Sequence, residues 1–357
     1  MNNIEFSKKM LIAQLEKILK QINKKNSNKI KYNSVITTPL ILLSCGGRPT
    51  QQIGETFYVT ESIQSIKGGP DIDTVDYSGI DTSIEADLSL PNSRVIFGDV
   101  IHTLISVENI IGTNFDDTIL VGTLPSIITG GAGCDTFKIP YLGTATITDL
   151  ETCDIFIVGE DATLYAFIND EFIATSETVS FGRVVDLTSA EANQSEIDMS
   201  AAGAGEFNII GGLQKNVLTG GISNDILTGG DGADIFNITS GLDRISDLST
   251  GDVLIVLAGA SVNATDISEF IATNSTSNAG VVNLSSKNSG SYINLIDSSL
   301  GSYTLIGGSG NDVLIGSTGA DIISGNEGDD TLDGGAGNDS LTSGSGSNIL
   351  TGGSGID

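Results

Sequence analysis

A nine-residue period dictates what this chain can fold into. Residues 325 to 342 read GNEGDDTLDGGAGNDSLT, two units end to end, each with glycine at positions 1 and 4, aspartate at 6 and leucine at 8. Glycine opens the positive φ values of a tight turn, and aspartate closes such a turn. Positions 7 to 9 are then a three-residue strand, whose middle side chain points one way and whose neighbours point the other. One core residue in nine cannot offset the conformational entropy of ordering the other eight. A chain of such units needs stacked neighbours and a further source of stabilisation.

An oxygen-liganded metal supplies it. Turn carbonyls and an aspartate in every unit form a hard, all-oxygen donor set that suits calcium and lacks the Cys and His ligands of zinc. If two nonapeptides make one coil, aspartates two units apart stack on one edge, so that Asp312 lies over Asp330, and Asp321 over Asp339 and Asp357. Calcium between successive turns would neutralise carboxylates that otherwise repel one another.

The units GGSGNDVLI (307 to 315), GSTGADIIS, GNEGDDTLD, GGAGNDSLT, the degenerate SGSGSNILT and a final GGSGID run consecutively. They resemble the RTX, or haemolysin-type calcium-binding, repeat, whose GGxGxDxUx pattern marks a calcium-binding β-helix. The resemblance implies an all-β fold, a right-handed parallel β-roll solenoid with calcium between its turns, in proteins exported from bacteria. It implies no chemistry beyond calcium.

The same register continues upstream. GGLQKNVLT (211 to 219), GGISNDILT and GGDGADIFN carry Asn216, Asp225 and Asp234 at position 6, and counting on by nines reaches Asp243 and Asp252. Asp225 therefore pairs with Asp243, and Asp234 with Asp252. An earlier block, GTNFDDTIL (112 to 120) to GGAGCDTFK, places Asp117 and Asp135 two units apart, with Ser126 on the opposite edge. GGPDIDTVD (68 to 76) resembles one more unit, with Asp71 in place of a glycine.

A longer repeat overlies the short one. ITDLETCDIFIVG (147 to 159) is similar to ISDLSTGDVLIVL (245 to 257), and EFIAT recurs at 171 and 269. The expected organisation is a linker and entry region at 46–102 and calcium blocks at 103–159, 211–257 and 298–357. Between the blocks, 160–210 and 258–297 read as calcium-poor coils or an inserted strand layer, or alternatively as a small separate β-domain.

Charge sets the partners. Residues 1 to 45 hold eight Lys and two acids, leaving 43 acids against eight bases in the rest, a net −35. Such a body repels nucleic-acid phosphates and strains against itself until cations bind. The N-terminal segment, 1–45, is different: Leu11, Leu15, Ile18, Leu19 and Ile22 follow helical spacing among lysines. An apolar run and Leu42-Leu43-Ser44-Cys45-Gly46-Gly47 come next. This stretch resembles a bacterial lipoprotein signal, which implies acylation of Cys45 and a tether to an outer membrane. The other reading is a surface helix, a linker and a free thiol.

Two further cysteines, Cys134 and Cys153, each precede a turn aspartate, Asp135 and Asp154. Their spacing is one coil plus a one-residue slip, which makes them stacked neighbours within disulfide reach; the alternative is two reduced turn residues. Catalytic motifs are missing. The single histidine, His102, precludes HExxH and leaves no Ser-His-Asp partner, and the sequence has neither a GxSxG elbow nor a phosphate loop. His102 sits in GDVIHTLISVENIIG, which resembles the entry to calcium repeats in secreted proteases and implies a first-coil role.

The sequence thus reads as a non-catalytic calcium-binding protein of the cell surface, structural, adhesive or surface-layer in role, with further copies of the chain or a surface polysaccharide as partners. A second reading is the repeat module of a larger secreted enzyme or toxin. Ice binding, which favours a flat threonine ladder, is disfavoured because position 3 runs Ser309, Thr318, Glu327, Ala336, Ser345.

Overall fold

The computed structural model describes residues 54–60, 65–189 and 194–357; the basic N-terminal segment and Cys45 lie outside them. The described chain winds as a parallel β-solenoid and contains no helix. One side is an unbroken 15-stranded sheet, one strand per turn, from Thr56–Tyr58 to Ser340–Thr342. The other side is divided into sheets of eight, six and five strands. The core is the layer between them, filled by the middle residue of each short strand. In Thr331–Asp333, Leu332 is buried while its neighbours face outward, as the period-two geometry of a strand demands.

Strand pairing gives the length of each coil. In the nonapeptide blocks a coil is two units long, as in Asn208↔Ile226↔Arg244 and Thr304↔Ile322↔Ser340. Between the blocks it lengthens: Tyr165 pairs with Asp186, Asp186 with Asn208, and Asn283 with Thr304. The extra residues make an additional short strand, Glu171–Ile173 in one coil and Glu269–Ile271 in its duplicate, where the second side changes from one sheet to the next. The segments between the blocks are coils of the same solenoid: Thr163–Ile168, Val184–Ser189, Ser261–Ile267 and Val281–Ser286 lie inside the 15-stranded sheet. They bury Phe172 and Phe207, each in contact with Phe156.

The entry coils hold the only antiparallel pairs among the described strands. Ser93–Phe97 and Val100–Ile105 form a hairpin set into the eight-stranded sheet. His102, on its second strand, is fully buried, edge-on to Phe97 and with Nδ1 3.3 Å from the Tyr77 hydroxyl. Burial lowers its pKa and keeps the ring neutral. It serves as a core residue of the entry coils.

Candidate metal centre

Each repeat turn occupies positions 1 to 6 between two strands, and each position has a physical reason. Position 1 faces the ladder carboxylates: a Cβ on Gly220 would lie 2.9 Å from Oδ2 of Asp243 and 3.0 Å from Oδ2 of Asp225. Positive φ falls instead at positions 2 and 4, as in Gly335 (89°) and Gly337 (137°), with Asn326 (63°) standing in at position 2. Position 6 aspartates are buried, Asp117, Asp135, Asp225, Asp234, Asp243, Asp312, Asp321 and Asp330 to about the same degree as the core leucines.

The stacking inferred from the two-unit spacing is present at every pair. The backbone N–H of Asp117 donates to Oδ1 of Asp135 at 2.8 Å, Asp225 to Asp243 at 2.9 Å, Asp234 to Asp252 at 2.9 Å, Asp312 to Asp330 at 2.9 Å and Asp321 to Asp339 at 2.8 Å. The ladders go on from Asp339 to Asp357 and from Asp330 to Asn348, and Asn216 leads into Asp234.

The two members of a pair differ. In Asp117, Asp225, Asp312 and Asp321, Oδ2 accepts an N–H four residues back in its own turn. In their successors Asp135, Asp243, Asp330 and Asp339, Oδ2 is buried without a partner. Those four successors lie in turns with positive φ at Gly131, Gly241, Gly328 and Gly335, and carbonyls of the preceding coil face these glycines: Thr113 O lies where a Cβ on Gly131 would meet it, and Gly310 O where one on Gly328 would. A buried carboxylate oxygen without a hydrogen-bond donor is a costly arrangement without a cation. It is also an oxygen donor set of the kind calcium takes, carboxylate and backbone carbonyl. Among the described residues no three His, Cys, Asp or Glu side chains converge as a metal cluster; each regular turn offers one position 6 carboxylate to the ladder.

Burial is the first cause of the raised carboxyl pKa values, with neighbouring acids adding to it. Asp135 is pushed up to about 8, with Asp154, Asp117 and Asp149 nearby; Asp154 and Asp243 rise to about 7, and Asp225 and Asp234 to about 6. Asp117, Asp252, Asp312 and Asp321 shift upward for the same reason.

Asp154 and Asp252 are placed differently from the other candidate ligands. Each ends a block, and its second oxygen accepts an N–H three residues back, from Glu151 or Ser249. In both block-ending turns, DLETCD and DLSTGD, an aspartate replaces the position 1 glycine. Asp149 grips the N–H groups of Gly130 and Gly131, both at 2.9 Å, and Asp247 those of Gly229 and Gly230 at 2.9 and 2.8 Å. These carboxylates take over an acceptor role filled elsewhere by the next coil's backbone, as Thr129 O fills it for Gly112 N. Cys134 and Cys153 are disulfide-bonded across the same two turns, with Cα atoms 5.1 Å apart.

Three features escaped the sequence reading. Asp73, in the GGPDIDTVD unit, is a buried ladder residue that accepts from Glu55 N and Gly69 N; its register with the later units was the available signal. Asp149 and Asp247 are the second, and their recurrence at equivalent places in the long repeat could have found them. The third is an outer ladder at position 5, where Asn311 accepts from Asp329 N and Asp329 from Ser347 N, at 2.9 and 2.7 Å.

The profile of the RTX calcium-binding nonapeptide repeat matches residues 208–245, 306–341 and 324–357. The chain carries RTX calcium-binding repeats, folded as a β-roll. The matched segments hold four of the stacked pairs inferred from sequence in full, Asp225 with Asp243, Asp312 with Asp330, Asp321 with Asp339 and Asp339 with Asp357, together with Asp234, whose partner Asp252 lies just beyond. The block at 112–138 lies outside the matched segments yet has the same RTX geometry at Asp117 and Asp135. No curated protein matches the chain.

Proposed function

We propose that this RTX protein is exported, folds when it meets extracellular calcium, and serves without catalysis as a stiff structural or adhesive element at the bacterial cell surface. The observation that carries the reading is the set of four buried carboxylate oxygens, on Asp135, Asp243, Asp330 and Asp339, each without a partner in a turn stacked on another aspartate turn. A calcium ion at each such step would be held by that carboxylate and by turn carbonyls, neutralising the ladder and joining adjacent coils. Extracellular calcium modules bind at about 10⁻⁴ to 10⁻³ M, so the low-calcium cytosol would leave the chain unfolded and export-competent, and binding energy would become folding energy outside. A lipid on Cys45 is the proposed tether, with other copies of the chain or a surface polysaccharide as the contacts made there.

Circular dichroism in chelator and in millimolar calcium tests the folding; full β-structure in chelator would overturn it. Cell fractionation of the wild type and Cys45→Ala tests the anchor, which predicts release of the variant from the membrane fraction.

A further inference from the structure

The two copies of the long repeat agree inside and differ outside. Leu164 and Val262, Ala166 and Ala264, and Phe172 and Phe270 are buried at equivalent places. On the surface, residues 147–189 expose Tyr165, Phe167 and Phe181 where residues 245–286 hold Asn263, Thr265 and Ala279. The coil is therefore built equally well without an aromatic at these places. Exposed aromatics confined to one copy point to something that this copy binds.

Tyr165 and Phe167 stand on the outer face of the unbroken 15-stranded sheet, in the strand Thr163–Ile168, and are 41% and 43% exposed. Strand register fixes what surrounds them. Tyr165 is paired with Thr146 on one side and Asp186 on the other, with Asn208 next beyond, and Phe167 is paired with Thr188. Adjacent strands lie about 4.8 Å apart, so the two rings are flanked closely by hydroxyl, carboxylate and carboxamide groups. Asn208 Nδ2 donates to Asp186 Oδ1 at 3.0 Å, which holds that carboxylate in place. The patch is apolar at its centre and hydrogen-bonding at its margin.

Size, charge and continuity select the occupant. An aromatic side chain buries about 150 to 250 Å² in full, so two rings exposed to this degree offer roughly 100 to 200 Å² of apolar surface. A stable protein interface takes about 800 Å² from each partner, whereas a sugar ring is of the patch's own size and character. Its C–H faces stack on an aromatic ring, and its hydroxyls exchange hydrogen bonds with Thr, Asp and Asn side chains. The 43 acids against eight bases in residues 46 to 357 repel an anionic glycan, which leaves a neutral one. The sheet also continues past the patch in both directions, from Thr146 to Ile127 and from Asn208 to Ile226, so that a chain of sugars can extend across successive coils.

We propose that Tyr165 and Phe167, with Asp186 and Asn208 beside them, form a binding site for a neutral polysaccharide, present in the first copy of the long repeat and absent from the second. The proposal deepens the adhesive reading given above and rests on it. The full chain in millimolar calcium is mixed with insoluble cellulose, chitin or starch, and with alginate beads as the anionic comparison, and the unbound fraction is measured. The wild type is expected to be retained by at least one of the three neutral glycans and not by alginate. Tyr165→Asn/Phe167→Thr, which gives the first copy the residues of the second, is expected to bind about tenfold more weakly, the usual effect of removing aromatic anchors, with its circular dichroism unchanged. Tyr165→Phe keeps the ring and is expected to bind as the wild type does.

Equal retention of the wild type and the double variant, or retention of the wild type by none of the three glycans, would overturn the site. A wild type that sediments as a dimer and a double variant that sediments as a monomer, with no glycan retained, would assign the face to a second copy of the chain instead. A chain that the glycan retains but that fractionation finds away from the cell surface would overturn the adhesive reading and leave the site standing.

Discussion

At the scale of single residues, the ladder carboxylates make stability depend on both calcium and protons. Their folded-state pKa values, about 8 for Asp135, 7 for Asp154 and Asp243, and 6 for Asp225 and Asp234, lie above the roughly 3.9 of an unfolded aspartate. A group raised in this way contributes stability that is fully present below about pH 4 and is lost as pH rises through 6 to 8. In chelator, β-structure measured by circular dichroism is therefore expected to be greater at pH 5.5 than at pH 8, and calcium should narrow that difference; equal signals at both pH values would contradict it. Shared residues also matter more than terminal ones. Asp330 accepts from Asp312 N, donates to Asn348 and keeps one oxygen for a cation, whereas Asn348 only accepts from Asp330 N. Asp330→Ala should cost about 1 to 3 kcal/mol more than Asn348→Ala in calcium, the penalty of orphaning a buried N–H and losing a ligand charge. Equal melting temperatures and calcium affinities would refute the shared role.

At the scale of the turn, the ends of each block need a device that its middle does not. The last calcium turn has no further nonapeptide above it to accept its position 1 and 2 N–H groups, and Asp149 and Asp247 do so from the side chain. Asp149→Ala leaves Gly130 N and Gly131 N without their acceptor and should destabilise the first block by roughly 2 to 3 kcal/mol; faster amide exchange at those two glycines would locate the effect, and unchanged exchange would disprove the cap. The Cys134–Cys153 bond spans the same turns. Alkylation of the protein isolated without reductant should leave both cysteines unmodified, and reduction should lower stability by roughly 3 kcal/mol for a loop of about 20 residues. Sequence made the regular turn legible because every ladder contact recurs two units along the chain, which is why the pairs from Asp117–Asp135 to Asp339–Asp357 could be placed from spacing alone. It did not show the caps, since Asp149 and Asp247 act through their side chains on glycines a full coil away and break the glycine pattern that makes a unit visible. Nor did it distinguish why each glycine is needed: Gly220 is required by the carboxylates above and below it, Gly337 by its own φ.

For the whole molecule, uneven burial decides which coils depend on calcium. A solenoid is stabilised by each turn and its nearest neighbours, so its parts can melt separately. The long coil at 162–174 buries Ala162, Leu164, Ala166, Ile168, Phe172 and Ala174, whereas residues 322–339 bury only Ile323 and Leu332 among their apolar side chains. The first has apolar burial to hold it; the second carries Asp330 and Asp339, each with a buried oxygen that has no hydrogen-bond partner, a cost that a bound cation would offset. The surplus of 43 acids over eight bases in residues 46 to 357 adds a general repulsion that calcium also relieves. Hydrogen exchange in chelator should therefore show residues 306–357 losing protection first, with residues 160–189 and 258–297 protected longest and the 211–257 block between them. Stepwise calcium addition should restore protection in the reverse order, spreading from the long coils into the repeats they adjoin, because a folded neighbour supplies half of each turn's contacts. Loss of protection in all segments at a single rate would mean that the roll unfolds as one unit and that calcium acts on the whole ladder at once rather than block by block.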